Sequence, residues 1–180
     1  MRALDRLFSE HSFEKLELVD RYRCLLEQFC YQANRDGLPI EPYASDNPLA
    51  KFRSFSSDAQ RHVYENFERY YRICAKATSG GSSLTDSQAL LWSFLKDANL
   101  RPCSDLFGKI EDDDVIEIYD TGFVQTFRNI RFMQLCTYTL DDIFTCEFPE
   151  LYQRPNEITS SLVDLGTQVF SGSIHETVRT

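Results

Sequence analysis

The stretch 115–127 reads VIEIYDTGFVQTF, and it decides the fold class. Two short runs rich in β-branched and aromatic residues, 115–119 and 124–127, lie on either side of the turn sequence 120–122. Because turn residues between two such runs are typical of a β-hairpin, the stretch predicts two antiparallel strands. An isolated hairpin is only marginally stable in water, so its apolar face needs further strands or a covering layer of helices.

The residues before this hairpin have a helical period. Apolar side chains recur at intervals of three and four over 12–35, 57–79 and 85–98, which predicts three amphipathic helices in a small bundle. Between the first two helices, residues 38–56 contain three prolines and several serines and are predicted to form a connector. Three pairs have the spacing of a helix capping box: Ser57 with Gln60, Thr85 with Gln88, and Thr139 with Asp142.

The residues around and after the hairpin predict short elements. The acidic run 111–114 is predicted to be a solvated loop, because four adjacent carboxylates repel one another and cannot all converge on one ion. Residues 132–138 have a helical pattern, and so do residues 158–170, although 167–170 could instead begin a strand. We therefore predict an α+β fold, with a helical bundle over 1–105 followed by an antiparallel sheet with short helices over 106–180.

The charge of the chain is unevenly divided. Of its 180 residues, 19 are Lys or Arg and 28 are Asp or Glu, which gives a net charge of −9. Residues 1–102 carry 14 of each sign, whereas residues 103–180 carry 5 basic and 14 acidic side chains. Nucleic-acid binding needs clustered Lys and Arg, so we do not expect a nucleic-acid partner. Without a run of roughly 20 apolar residues or an apolar N-terminal stretch, we expect a cytoplasmic protein without membrane contact.

The sequence lacks the usual patterns of catalytic and metal-binding residues. Its six cysteines form no CxxC pair, and we expect reduced thiols packed as small apolar residues, with redox sensing as the alternative. The histidines His11, His62 and His175 have no neighbourhood typical of a catalytic base. A Walker A loop, a Rossmann glycine fingerprint and an HExxH motif are all missing. We predict neither an enzyme activity nor a metal site.

Roughly residues 113–150 resemble the opening of a PAS sensor domain. Such domains begin with two antiparallel strands, an Asn that leads into a short helix with a Phe three residues on, and then a segment of the form GYT-x-E-E-L. The matching positions are Asn129, Phe132, Tyr138, Thr139, Asp142 and Ile143. Thr137 stands where the family has Gly, and the chain ends about where three further strands of the family are expected.

The missing strands leave three ways to cover the hairpin. Residues 158–180 could supply strand, the helices of the first half could cover the sheet, or the chain could be the front part of a longer protein. We expect the third, because residues 171–180 are polar and contain no stop signal.

The resemblance implies a non-enzymatic signalling or regulatory module that binds a small ligand or a protein partner and couples this binding to self-association, as a homodimer. The ligand-binding residues that it implies are Ile118, Phe127, Phe132, Leu135, Tyr138 and Ile143. No cofactor is expected, since Ile130 stands at the position of the photoreactive Cys of flavin photosensors and His175 is the only His in this half.

A hypothesis from a different class explains the aromatic content equally well. An α-rich adaptor or effector protein would act through a protein–protein interface and bind no small ligand. A large exposed apolar face would favour this alternative. A Cys-dependent enzyme is the third hypothesis, and a reactive thiol at neutral pH would be its first sign.

Overall fold

The computed structural model describes residues 16–102, 105–119, 125–146, 151 and 156–173. Within these residues, the chain forms helices and a small two-stranded antiparallel sheet, which is an α+β fold. The elements are α1 (Leu18–Arg35), α2 (Ala50–Ser54), α3 (Ser57–Ser79), α4 (Ser87–Asp97), a 3-10 turn (Phe107–Lys109), β1 (Glu117–Tyr119), β2 (Gln125–Arg128), α5 (Ile130–Leu135), α6 (Leu140–Thr145) and α7 (Asn156–Phe170).

The three helices predicted in the first half are confirmed as α1, α3 and α4. Residues 12–15 of the first predicted helix lie outside the described residues. Both α1 and α4 pack against α3, which is the longest of the three at 23 residues. Helix α1 ends at Arg35 because Gly37 follows with a φ of 80°, a left-handed conformation that glycine adopts without steric cost.

Two of the three predicted helix caps are displaced by one residue. Helix α3 is capped by Ser56 rather than Ser57, and α4 by Asp86 rather than Thr85. In each case the capping oxygen accepts the backbone N–H three residues on, which fixes the cap one position before the first helical residue. The capping box at Thr139 is confirmed at the start of α6.

Aromatic rings form the centre of the helical bundle. Tyr22 on α1 stacks on Phe52 of α2 with ring centroids 4.1 Å apart. The ring of Phe67 on α3 meets Tyr22, Phe29 and Phe144 edge-on at 6.0, 5.9 and 4.7 Å. Phe67 is fully buried, and such ring pairs add to the stabilisation that burial itself provides.

The hairpin packs its apolar face on these helices. Strands β1 and β2 are antiparallel, with Ile118 opposite Phe127. The ring of Phe127 lies 4.8 Å from Phe94 on α4 and 6.4 Å from Tyr70 on α3. The helices of the first half therefore cover the apolar face of the hairpin, which is the second of the three possibilities given above. The predicted turn 120–122 lies outside the described residues.

Strand β1 begins at Glu117, two residues later than the predicted start at Val115. The Ile116 N–H donates to the Asn129 side-chain oxygen at 3.0 Å instead of to a strand partner. The Ile116 carbonyl still accepts the Asn129 backbone N–H at 3.0 Å, so one bond of the ladder continues past β1, and Val115 before it is exposed.

The predicted connector 38–56 contains a helix of its own, α2. This helix packs against α6, and the α6 N-terminus is tied to the connector by backbone hydrogen bonds from Leu140 to Glu41 (2.9 Å) and from Asp141 to Pro42 (3.0 Å). The helix predicted over 132–138 is found earlier, as α5, because Asn129 starts it and Cys136 is extended.

The last described element, α7, is helical throughout, so a strand over 167–170 is wrong. One hydrophobic cluster contains residues on both sides of residue 105, and the division of the chain at that residue stays a prediction. In the described part of the chain, no helix is both long and apolar enough to cross a membrane.

Candidate binding cleft between helices and hairpin

A polar cleft of about 570 Å³ lies between the start of α4 and the two segments that flank the hairpin. Its walls come from the first turn of α4, the acidic loop before β1, and α5. The lining residues are Thr85, Asp86, Ser87, Gln88, Asp112, Arg131 and Gln134. The three walls belong to segments that are far apart in the sequence, so their relative positions depend on what joins them.

A single buried side chain joins them. Asn129 is fully buried, and its amide nitrogen donates to Ser87 Oγ at 2.8 Å and to the Asp114 carbonyl at 2.9 Å. Its amide oxygen accepts from the Ile116 N–H at 3.0 Å. We call Ser87, Asp114, Ile116 and Asn129 the asparagine joint. Because a buried amide is costly unless its hydrogen bonds are made, the joint fixes these three segments in one arrangement.

The side chains of the cleft carry both signs of charge. Arg131 donates to the Gln134 side chain at 3.1 Å, and Asp86 and Asp112 supply two carboxylates. One oxygen of Asp86 also accepts the Ala89 N–H at the α4 cap, which orients this carboxylate. A guanidinium, carboxylates and amides in one concave site suit a small molecule that carries both hydrogen-bond donors and acceptors.

Behind α5 lies a buried ion pair formed by Arg128 and Glu117. Their side chains face each other across the strands at 2.9 Å, and the Arg128 guanidinium lies 3.8 Å from the ring centroid of Phe132. Arg128 is 3% exposed, and its Nε and Nη1 atoms make no hydrogen bond within the described part of the chain. Burial, and next the charge of Glu117, raises the pKa of Tyr119 to about 12, so this hydroxyl stays protonated beside the pair.

The six predicted ligand-binding residues lie elsewhere. The hydrophobic cluster brings together five of them, with Phe127, Phe132 and Ile143 buried and Ile118 and Tyr138 half-buried. The sixth, Leu135, is 70% exposed. None of the six lines the polar cleft. A ligand-binding role for them stays a prediction.

The residues that line the cleft carry few signals in the sequence. For Asn129, the usable signal is a polar residue between the apolar Phe127 and Ile130, at a position of the PAS resemblance. Arg131 and Gln134 are three residues apart on one helix, a spacing that places two side chains side by side. Their meeting with Ser87 depends on tertiary packing, which a sequence pattern does not encode.

The described residues contain no group of three or more His, Cys, Asp or Glu side chains that could hold a metal ion. Their cysteines, at positions 24, 30, 74, 136 and 146, are all free thiols. Comparisons with known protein families, with curated proteins and with solved structures find no significant match to this chain.

Proposed function

We propose that this protein is a non-enzymatic, cytoplasmic signalling or regulatory module with a PAS-like second half, and that its polar cleft binds a small polar ligand. One observation carries the proposal: the asparagine joint holds the walls of a concave polar site at the boundary of the helices and the hairpin. A ligand in that site would contact α4 and the segments that flank the hairpin at once.

Ligand binding can then act as a switch through a shift of population. A molecule that bridges Arg131 on α5 and the first turn of α4 stabilises the arrangement in which the two segments are close. A competing arrangement that binds the ligand less tightly loses population, and the size of the shift depends on how much weaker its affinity for the ligand is. The readout is the packing of helices on the sheet, so no chemical step is required.

Helix α7 supports the proposed coupling to self-association. Apolar residues follow each other along it at intervals of four, three and four, which is the spacing of a coiled-coil seam: Ile158, Leu162, Leu165 and Val169. The positions that flank this seam carry no charge, so two copies would not repel each other there: Thr159, Ser161, Gly166 and Gln168. We propose a homodimer that is weak, because two heptads make a short seam.

Native mass spectrometry of the purified full chain tests the ligand proposal. We expect a non-covalent mass that is retained under gentle conditions and lost under denaturing ones. Arg131→Ala should lose this mass, whereas Arg61→Ala, on the exposed side of α3, should keep it. A bare chain in both variants and in the parent protein, after incubation with a cell extract of small molecules, would contradict the proposal.

A specific observation favours the adaptor alternative. Trp92 is 44% exposed, and together with Phe107 and Gln88 it lines a shallow groove of about 330 Å³. Exposed tryptophan is enriched at the centres of protein interfaces. If the chain carries no small molecule and Trp92→Ala abolishes capture of a partner protein, the adaptor function replaces the sensor.

A further inference from the structure

A lysine and a cysteine that are far apart in the sequence meet at the contact between α2 and α6. Lys51 Nζ lies 3.3 Å from Cys146 Sγ, across a sequence separation of 95 residues. Both residues are half-buried, so the pair is neither sealed inside the core nor fully exposed to solvent. This contact is independent of the polar cleft and of the function proposed for it.

Three of the other four described cysteines are poorer candidates for oxidation. Burial raises the pKa of Cys30 and of Cys74 to about 12, which suppresses the reactive thiolate. Partial burial and then the carboxylates of Glu27 and Asp20 raise the pKa of Cys24. Cys146 differs from these three because a lysine nitrogen lies within hydrogen-bond distance of its sulfur.

A buried carboxyl group lies at the same place. Asp141 is 6% exposed, and its Oδ1 makes no hydrogen bond within the described residues. Burial first, and then Asp142, raises the pKa of Asp141 to about 6, while the hydroxyl of Tyr22 and the charge of Lys51 act in the opposite direction. Lys51 therefore lies close to the buried Asp141 carboxyl as well as to the Cys146 sulfur.

We propose that Cys146 and Lys51 form an oxidation-sensitive pair that peroxide converts into a covalent sulfur–nitrogen crosslink between α6 and α2. Hydrogen peroxide oxidises the Cys146 thiol: the O–O bond breaks, an S–O bond forms, and one water leaves. The Lys51 ammonium gives a proton to solvent, and its nitrogen then attacks the sulfenic sulfur. An S–N bond forms as the S–O bond breaks, and the departing hydroxide takes the second nitrogen proton as water.

The reaction balances with one peroxide. Sulfur loses two electrons and peroxide gains two, so one thiol, one amine and one peroxide give one sulfenamide and two waters. The crosslink would hold the connector helix α2 against the end of α6, a contact that is otherwise non-covalent. A thiol reductant restores the free pair.

Peptide mapping of the full chain after treatment with equimolar hydrogen peroxide tests the proposal. We expect a linked pair of peptides that contain Lys51 and Cys146, about 2 Da lighter than their sum, and its loss on treatment with dithiothreitol. A disulfide gives the same change in intact mass, so the identity of the linked peptides decides.

Three variants complete the test. Cys146→Ser and Lys51→Arg should abolish the linked pair, since the second keeps the charge but removes the amine. Cys136→Ser, which changes another half-buried cysteine, should retain it at the level of the parent protein. A disulfide at Cys146, a sulfinic or sulfonic acid at Cys146 with Lys51 unlinked, or an unoxidised Cys146 would each overturn the proposal.

Discussion

The aromatic bundle and the region around the hairpin bury their side chains in different ways. In the bundle, rings such as Phe29 and Phe67 contact each other without directional bonds. Near the hairpin, Arg128 and Asn129 are just as deeply buried but depend on particular partners. Apolar contacts can repack after a substitution, whereas a buried polar group that loses its partner is left desolvated. We therefore expect the region around the hairpin to tolerate substitution less well.

The largest effect is expected at the buried ion pair. Arg128→Met removes the cation that faces Glu117 and should lower the free energy of unfolding by about 3–5 kcal/mol in urea titrations. The double variant Arg128→Met with Glu117→Gln removes both charges and should recover most of the loss. If Arg128→Met lowers the free energy of unfolding by less than about 1 kcal/mol, the pair is effectively solvated. The two regions would then not differ in their tolerance of substitution.

The next effect compares the two regions directly. Asn129→Ala leaves the Ser87 hydroxyl and two backbone groups without their partner and should cost about 2–3 kcal/mol. Phe67→Leu, in the aromatic bundle, should cost about 1–2 kcal/mol, since aliphatic carbon refills most of the ring's volume. Equal losses in urea unfolding of the two variants would contradict the difference in tolerance.

The difference between the two regions also explains which features can be predicted from the sequence. The three bundle helices, the hairpin and the cap at Thr139 follow from local periodicity and spacing, which act over a few residues. The asparagine joint does not, because Asn129 and Ser87 are 42 residues apart and are matched by tertiary packing. The six predicted ligand-binding residues were chosen for their apolar character, and that same character places five of them in the hydrophobic cluster.

A pH-dependent effect is expected at Asp141 on α6, close to Lys51 of α2 and Tyr22 of α1. Its pKa is raised in the folded protein from 3.8 to about 6, so folding favours the protonated form. This contribution to stability is complete below pH 4 and is lost as the pH rises through 6, by roughly 1–3 kcal/mol. Asp141→Asn should flatten the change, as measured by urea unfolding at pH 4.5 and 7.5. If the variant loses as much stability between pH 4.5 and 7.5 as the parent protein does, the pH dependence comes from another group.

The smallest effect is expected at the α6 cap. Thr139→Ala removes the hydroxyl that accepts the Asp142 N–H and should cost about 1 kcal/mol in thermal unfolding. Thr139→Ser keeps that oxygen and serves as the matched control. A Ser variant as unstable as the Ala variant would show that the methyl group, and not the cap, is what matters.

A double-mutant cycle of Ser87→Ala and Asn129→Ala tests most directly whether one hydrogen-bonded joint connects the helices to the hairpin and holds the cleft open. The two residues are hydrogen-bonded at 2.8 Å, so we predict a coupling energy of about 1 kcal/mol or more in the free energy of unfolding. Losses that add to within about 0.3 kcal/mol would contradict the joint, because independent sites behave in that way.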